Sequence, residues 1–326
     1  MARIPVRLLA AAFALAAAAP LAAQQQHGQV RIEGFFSAAL GVRKHYVVYL
    51  PPSYAHQTHR RFSVAYYLHG LTGNEGDWVT LGGIDRVADS LIGAGMPEMI
   101  LVMPDGDDAW YTNWATPRGL AACMTDPLVS GSATYCVEHE RYDDYIAHDL
   151  VAHVDSAYRT RADRAHRGIA GLSMGGYGAI VLALRHPDRF AAAASHSGVV
   201  SPLYAGPRPF APPATYLTSA DSTHATWRGF WHEARLAFGP DITGWYERDP
   251  ARLARSLQAA GGPMPAIFLD VGTEDRLADQ SRAFHWELAQ MGVAHAYAEW
   301  PGNHDWKYWP AHVGESLRFL AEHIAR

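Results

Sequence analysis

The segment Gly171-Leu172-Ser173-Met174-Gly175-Gly176 constrains this chain more than any other. It follows a short strand-like run at 167–170 and opens a helical run, Met174–Arg185, that stops before Pro187. A G-x-S-x-G between a strand and a helix makes a tight turn with a serine at its apex. Gly171 and Gly175 suit that turn because neighbouring backbone comes close on both sides. The turn lifts the Ser173 hydroxyl above the sheet edge. The helix N-terminus then sets partial positive charge beside it.

The rest of the chain has the alternation that such a turn requires. Apolar runs at 64–68, 99–103, 191–197, 266–271 and 294–299 read as strands. Helical patterns at 84–94, 142–157, 280–291 and 312–324 lie among them. Runs at 29–36 and 46–50 also read as strands, with Gly41-Val42-Arg43-Lys44 between them. The expectation is an α/β protein with a mostly parallel central sheet and helices on both faces. The stretch 202–249 is rich in Pro and aromatics, among them Tyr204, Phe210, Trp227, Trp231 and Trp245. It reads as an irregular insertion near the active site, within a single catalytic domain spanning 24–326.

Residues 1–23 have the layout of a cleavable signal peptide. Arg3 and Arg7 precede an Ala-rich apolar stretch, and small residues lead to Ala23. A secreted or periplasmic location is therefore expected, with no stable membrane insertion. Export and an even cysteine count predict a Cys123–Cys136 disulfide. With 27 basic against 32 acidic side chains, no footprint for nucleic acid is expected. His148 and His153 are five residues apart and do not share a helix face as i, i+4 ligands would, so neither metal nor cofactor is expected.

A serine hydroxyl is a weak nucleophile near neutrality. It needs a base, and the base needs an orienting carboxylate, in the chain order Ser, acid, His. The run at 266–271 is followed by Gly272-Thr273-Glu274-Asp275, and the run at 294–299 by Trp300-Pro301-Gly302-Asn303-His304-Asp305-Trp306. His304 is therefore the expected base. Glu274 and Asp275 both remain open as the acid, with Asp275 favoured, while Asp270 lies within its strand. The oxyanion hole is expected from the amide of Met174 and a second donor in His69-Gly70-Leu71-Thr72-Gly73, with Leu71 the candidate.

These segments, with Tyr67-Leu68-His69-Gly70-Leu71-Thr72-Gly73 and Gly302-Asn303-His304-Asp305-Trp306, resemble the esterase D family of α/β hydrolases. That family includes feruloyl and acetyl xylan esterases, S-formylglutathione hydrolases and mycolyltransferases. The resemblance covers nearly the whole chain after residue 28. It implies the α/β-hydrolase fold, Asp275 as triad acid and Leu71 as second oxyanion donor. It also implies an aromatic substrate wall at Trp306. Where S-formylglutathione hydrolases usually carry a cysteine after the oxyanion loop, this chain has Gly73-Asn74-Glu75.

The expected activity is hydrolysis of carboxylic esters, small-molecule or polysaccharide-borne, with short acyl or hydroxycinnamoyl groups on carbohydrate. Trp110 and Trp114 are expected at the cleft mouth. Two other readings stand beside it: acyl transfer to a sugar hydroxyl on the same triad, and a secreted binding protein that has kept only the fold. The sequence is silent on oligomeric state.

Overall fold

The computed structural model describes residues 27–126, 136–219 and 231–325. The expected signal peptide, residues 127–135 of the segment between the cysteines, and residues 220–230 of the insertion lie outside the described residues.

Eight strands form one sheet: β1 (Gln29–Ser37), β2 (Val42–Leu50), β3 (Ser63–Leu68), β4 (Met99–Pro104), β5 (Arg167–Leu172), β6 (Ala192–His196), β7 (Ala266–Gly272) and β8 (His295–Trp300). Their order is β1-β2-β4-β3-β5-β6-β7-β8. The β1–β2 and β2–β4 pairs are antiparallel and all others are parallel. Every residue of β3, β4, β5 and β6 is buried, as near-continuous apolar runs covered on both faces should be.

Alternating residues feed two cores. Val64, Tyr66 and Leu68 pack with the helix Met174–Arg185 and with Ile146 and Leu150 of a second helix. Ala65 and Tyr67 pack on the opposite face with the helices Ile84–Gly93 and Tyr308–Ile324. Gly168 of β5 lets the last helix approach closely, since a Cβ there would lie 2.9 Å from Leu320.

Some expectations need correction. Strand β2 starts at Val42, not Tyr46, because Lys44 is a buried strand residue. Its ammonium meets Asp105 at 2.7 Å and Asp107 at 2.8 Å, so a charged residue sits inside the fold. The helix at 142–157 is interrupted by a π-helical stretch, Tyr145–Leu150. The stretch 202–249 is less irregular than expected, since it contains the helices Trp231–Phe238 and Ile242–Tyr246. Its Trp245 is fully buried against Phe238, which also packs on Trp110 and Tyr177, so these aromatics build core. The helix Pro250–Ala259 was not expected. It is capped by Asp249, whose side chain accepts the Arg252 amide at 3.1 Å, with Pro250 in its first turn.

Cys123 and Cys136 are disulfide-bonded, with Cα atoms 5.5 Å apart. Among the described residues no helix is long and apolar enough to cross a membrane.

Candidate active site

Ser173 sits between β5 and the helix Met174–Arg185 with φ +53° and ψ −116°, a backbone conformation that costs an L-residue about 1–3 kcal/mol. Surrounding backbone holds it there. The Ser173 amide donates to the His196 carbonyl at 2.9 Å. A Cβ on Gly171 would lie 2.3 Å from the Gly175 oxygen, and one on Gly175 only 2.4 Å from the oxygens of Leu68 and His69. Glycine is therefore the residue that admits this turn at both positions.

The two loops after β7 and β8 bring the remaining groups to Ser173. His304 Nε2 lies 2.9 Å from Ser173 Oγ. Its Nδ1–H donates to Asp275 Oδ2 at 2.8 Å, and the Asp275 side chain is fully buried. The other Asp275 oxygen accepts the Leu277 amide at 2.8 Å. That leaves Nε2 facing the serine, the tautomer a general base requires.

The other two carboxylates have other partners. Glu274 points outward and accepts hydrogen bonds from the Gly302 amide and, at 2.9 Å, the Thr273 hydroxyl. The Gly302 amide, more than Thr273, holds this carboxyl below its usual pKa range. Asp270 is buried in β7, 2.6 Å from His196 Nδ1, and accepts the Tyr308 hydroxyl at 3.1 Å. His196 Nε2 in turn meets Ser316 Oγ at 2.8 Å. The Tyr67 hydroxyl lies 3.1 Å from that oxygen, and the Ser63 hydroxyl donates to the Ile324 carbonyl. A polar ladder thus runs under the serine turn to the last helix.

The loop after β3 is fixed by backbone and side-chain bonds. The Gly106 amide donates to His69 Nε2 at 2.9 Å, which leaves Nδ1–H to donate to the Gly70 carbonyl at 2.8 Å. The Tyr111 hydroxyl donates to the His69 carbonyl at 3.1 Å, and the Trp78 indole to that of Leu68 at 3.0 Å. Below lies the Lys44–Asp105–Asp107 cluster. Burial opposes the Lys44 charge, but Asp107 and Asp105 outweigh it and hold the ammonium above its usual range. Burial and the neighbouring Asp105 push the Asp107 carboxyl up to about 6.

Ser173, His304, Leu71 and Met174 line one cavity of about 700 Å³. Met174 is the first residue of its helix, so its N–H has no acceptor within the helix and is available to a ligand oxygen. Such a constellation can attack a carbonyl and hold the resulting oxyanion. Trp110 and Trp306 line the cavity as well. Trp114 does not: its indole donates to the Ala109 carbonyl at 3.1 Å, and Arg118 stacks over its ring. Sequence reasoning missed Trp309, which lines the cavity and meets His304 edge-on at 5.1 Å. Its spacing of three from Trp306 was the available signal. Also missed were Asp77, Arg208, Arg276 and Gln280.

The sheet, the serine turn and the two loops define an α/β-hydrolase fold. The Esterase family model matches residues 37–320, and the chain belongs to that family. It is 31% identical over 279 residues to Esterase Rv1288 of Mycobacterium tuberculosis, covering 83% of this chain and 54% of the relative. The chain thus spans about half the length of the curated relatives it matches. Among solved structures it resembles a ferulic acid esterase at 25% identity and TM-score 0.63, covering 91% of this chain and 98% of that one. It also resembles the Staphylococcus aureus fluorophosphonate-binding serine hydrolase FphF at 22% identity and TM-score 0.69, covering 90% and 99%.

Proposed function

We propose that this chain is a secreted serine esterase that hydrolyses carboxylic esters through an acyl-enzyme. One observation carries the reading: Ser173 Oγ, His304 Nε2 and Asp275 form a hydrogen-bonded chain that opens into a cavity. Ser173 attacks the ester carbonyl while His304 takes its proton. The amides of Met174 and Leu71 stabilise the tetrahedral oxyanion. His304 returns the proton to the departing alcohol, and water, activated by the same imidazole, then releases the acid.

Short acyl or hydroxycinnamoyl esters of carbohydrates are the proposed substrates. The aromatic walls Trp110, Trp306 and Trp309 support this, since indole faces stack on sugar and phenolic rings. Similarity to a ferulic acid esterase is consistent with it. The test is labelling by a fluorophosphonate probe, followed by kcat/KM for p-nitrophenyl acetate, butyrate and palmitate and for methyl ferulate. Labelling at Ser173 with a short-chain or ferulate optimum supports the proposal. An optimum at palmitate with activation at a lipid–water interface overturns the substrate class.

A further inference from the structure

The catalytic cavity has an uneven charge distribution that ester hydrolysis does not itself require. Arg208, from the insertion, and Arg276, directly after Asp275, both line it and are both exposed. Neither guanidinium has a carboxylate partner among the described residues. The Arg208 side chain donates instead to the Arg276 backbone carbonyl at 3.4 Å, which keeps the two positions together. Nearby acids are already engaged. Asp279 accepts the Phe210 amide at 2.7 Å and the Arg282 guanidinium at 3.0 Å, and Asp275 holds His304.

Gln280, in the first turn of the helix Ala278–Gln290, lines the same cavity. It is 5% exposed, yet its side-chain oxygen has no hydrogen-bond partner among the described residues. That oxygen is shut off from solvent, so it is not offered to a ligand in the cavity as the side chain stands. Among the described residues the one acidic side chain lining the cavity is Asp77, the first residue of the short helix Asp77–Thr80 after β3. Burial raises its pKa, which disfavours its charge.

The geometry points to a subsite formed by Arg208 and Arg276 for an anionic portion of the substrate. Esters that carry a carboxylate close to the scissile bond, such as those of sugar acids, are the class it fits. Two guanidiniums pair with the carboxylate as fork donors. This inference rests on the esterase reading and narrows its substrate class.

The test uses the purified full chain and two substrate pairs matched in shape. One pair carries the charge on the acyl side: p-nitrophenyl hemisuccinate against its methyl ester. The other carries it on the alcohol side: 4-acetoxybenzoate against methyl 4-acetoxybenzoate. Each kcat/KM ratio is corrected for spontaneous hydrolysis and divided by the ratio of rates with neutral imidazole as nucleophile, which removes intrinsic reactivity without a charge bias. In at least one pair the anion is expected to be preferred by about fivefold or more at low salt, as exposed ion pairs allow. That pair shows which side of the ester the subsite holds.

The preference should shrink as salt is raised and collapse toward parity in the Arg208→Gln/Arg276→Gln variant. Arg208→Lys/Arg276→Lys should recover part of it. Preference for the neutral partner in both pairs overturns the subsite, as does an anion preference that survives the double Gln substitution. A folded protein that hydrolyses none of the four esters and takes no fluorophosphonate label instead fails the esterase reading, and the subsite with it.

Discussion

Glu274 accepts a hydrogen bond from the Gly302 amide, so the residue beside the proposed acid ties down the loop that carries His304. The Glu274 amide also donates to the Gly302 carbonyl at 3.0 Å. Adjacent carboxylates therefore have different jobs: Asp275 faces the imidazole and Glu274 clasps the loop. Asp275→Asn should lower kcat by about 10⁴-fold, since an amide favours the wrong histidine tautomer. Glu274→Gln keeps an acceptor and should cost less than about tenfold. Steady-state kinetics of the two variants decide the assignment, and the reverse order would reject it.

Ser173→Ala and His304→Ala should each remove about 10⁵-fold or more of kcat, because the groups act as a unit. The fold should persist, as checked by circular dichroism and thermal unfolding. Asp270→Asn should behave differently. It disturbs the buried contact with His196 and should lower stability before it touches chemistry.

Gly175→Ala should be far worse than a methyl group suggests. The new Cβ would press on two carbonyl oxygens of the chain leaving β3, and backbone cannot rotate away as a side chain can. A loss of about 1–3 kcal/mol and most of the activity is expected, read by denaturant unfolding and ester turnover.

Asp249 supplies a pH test of stability. It is 3% exposed, and burial pushes its pKa up to about 6 from an ordinary 3.8. A carboxyl with a raised folded pKa makes the folded state bind more protons than the unfolded chain between those values. Stability from this group therefore falls as pH climbs from about 4 to 6, by on the order of 3 kcal/mol at most. Asp249→Asn keeps a capping oxygen without the charge. It should raise Tm at pH 8 and leave it nearly unchanged at pH 4; an equal shift at both pH values would contradict the buried charge.

The Cys123–Cys136 bond closes a short loop, with a sequence separation of 13. Replacing both with serine should cost about 2–4 kcal/mol. Exported protein should weigh two hydrogens less than its reduced form, and reaction of two thiols with a maleimide before reduction would rule the bond out.

The central strands β3 and β4 were legible because they are nearly uninterrupted apolar runs, and Ser173 because its glycines admit only one kind of turn. His304 was found by position after the last strand, since eighteen histidines make residue type uninformative. What failed depended on distant partners. Lys44 read as turn because its buried acids lie about sixty residues away in sequence. Trp114 read as cleft because an indole in sequence carries no direction. Arg208 and Arg276 drew no attention because arginines on loops are ordinary until a cavity connects them.

The ladder from the serine turn through His196 to Ser316 has a consequence for biogenesis. Ser173 and its supporting carbonyl are made long before the helix Tyr308–Ile324, which completes the ladder and covers one face of the sheet. Before that helix is made, the serine motif has His196 and Asp270 beneath it but lacks Ser316. The helix Ile84–Gly93 supplies the early part of the cover on that face, and the last helix supplies the rest when it emerges. The last helix thus supplies the Ser316 end of the ladder only after Ser173, His196 and Asp270 have all been made.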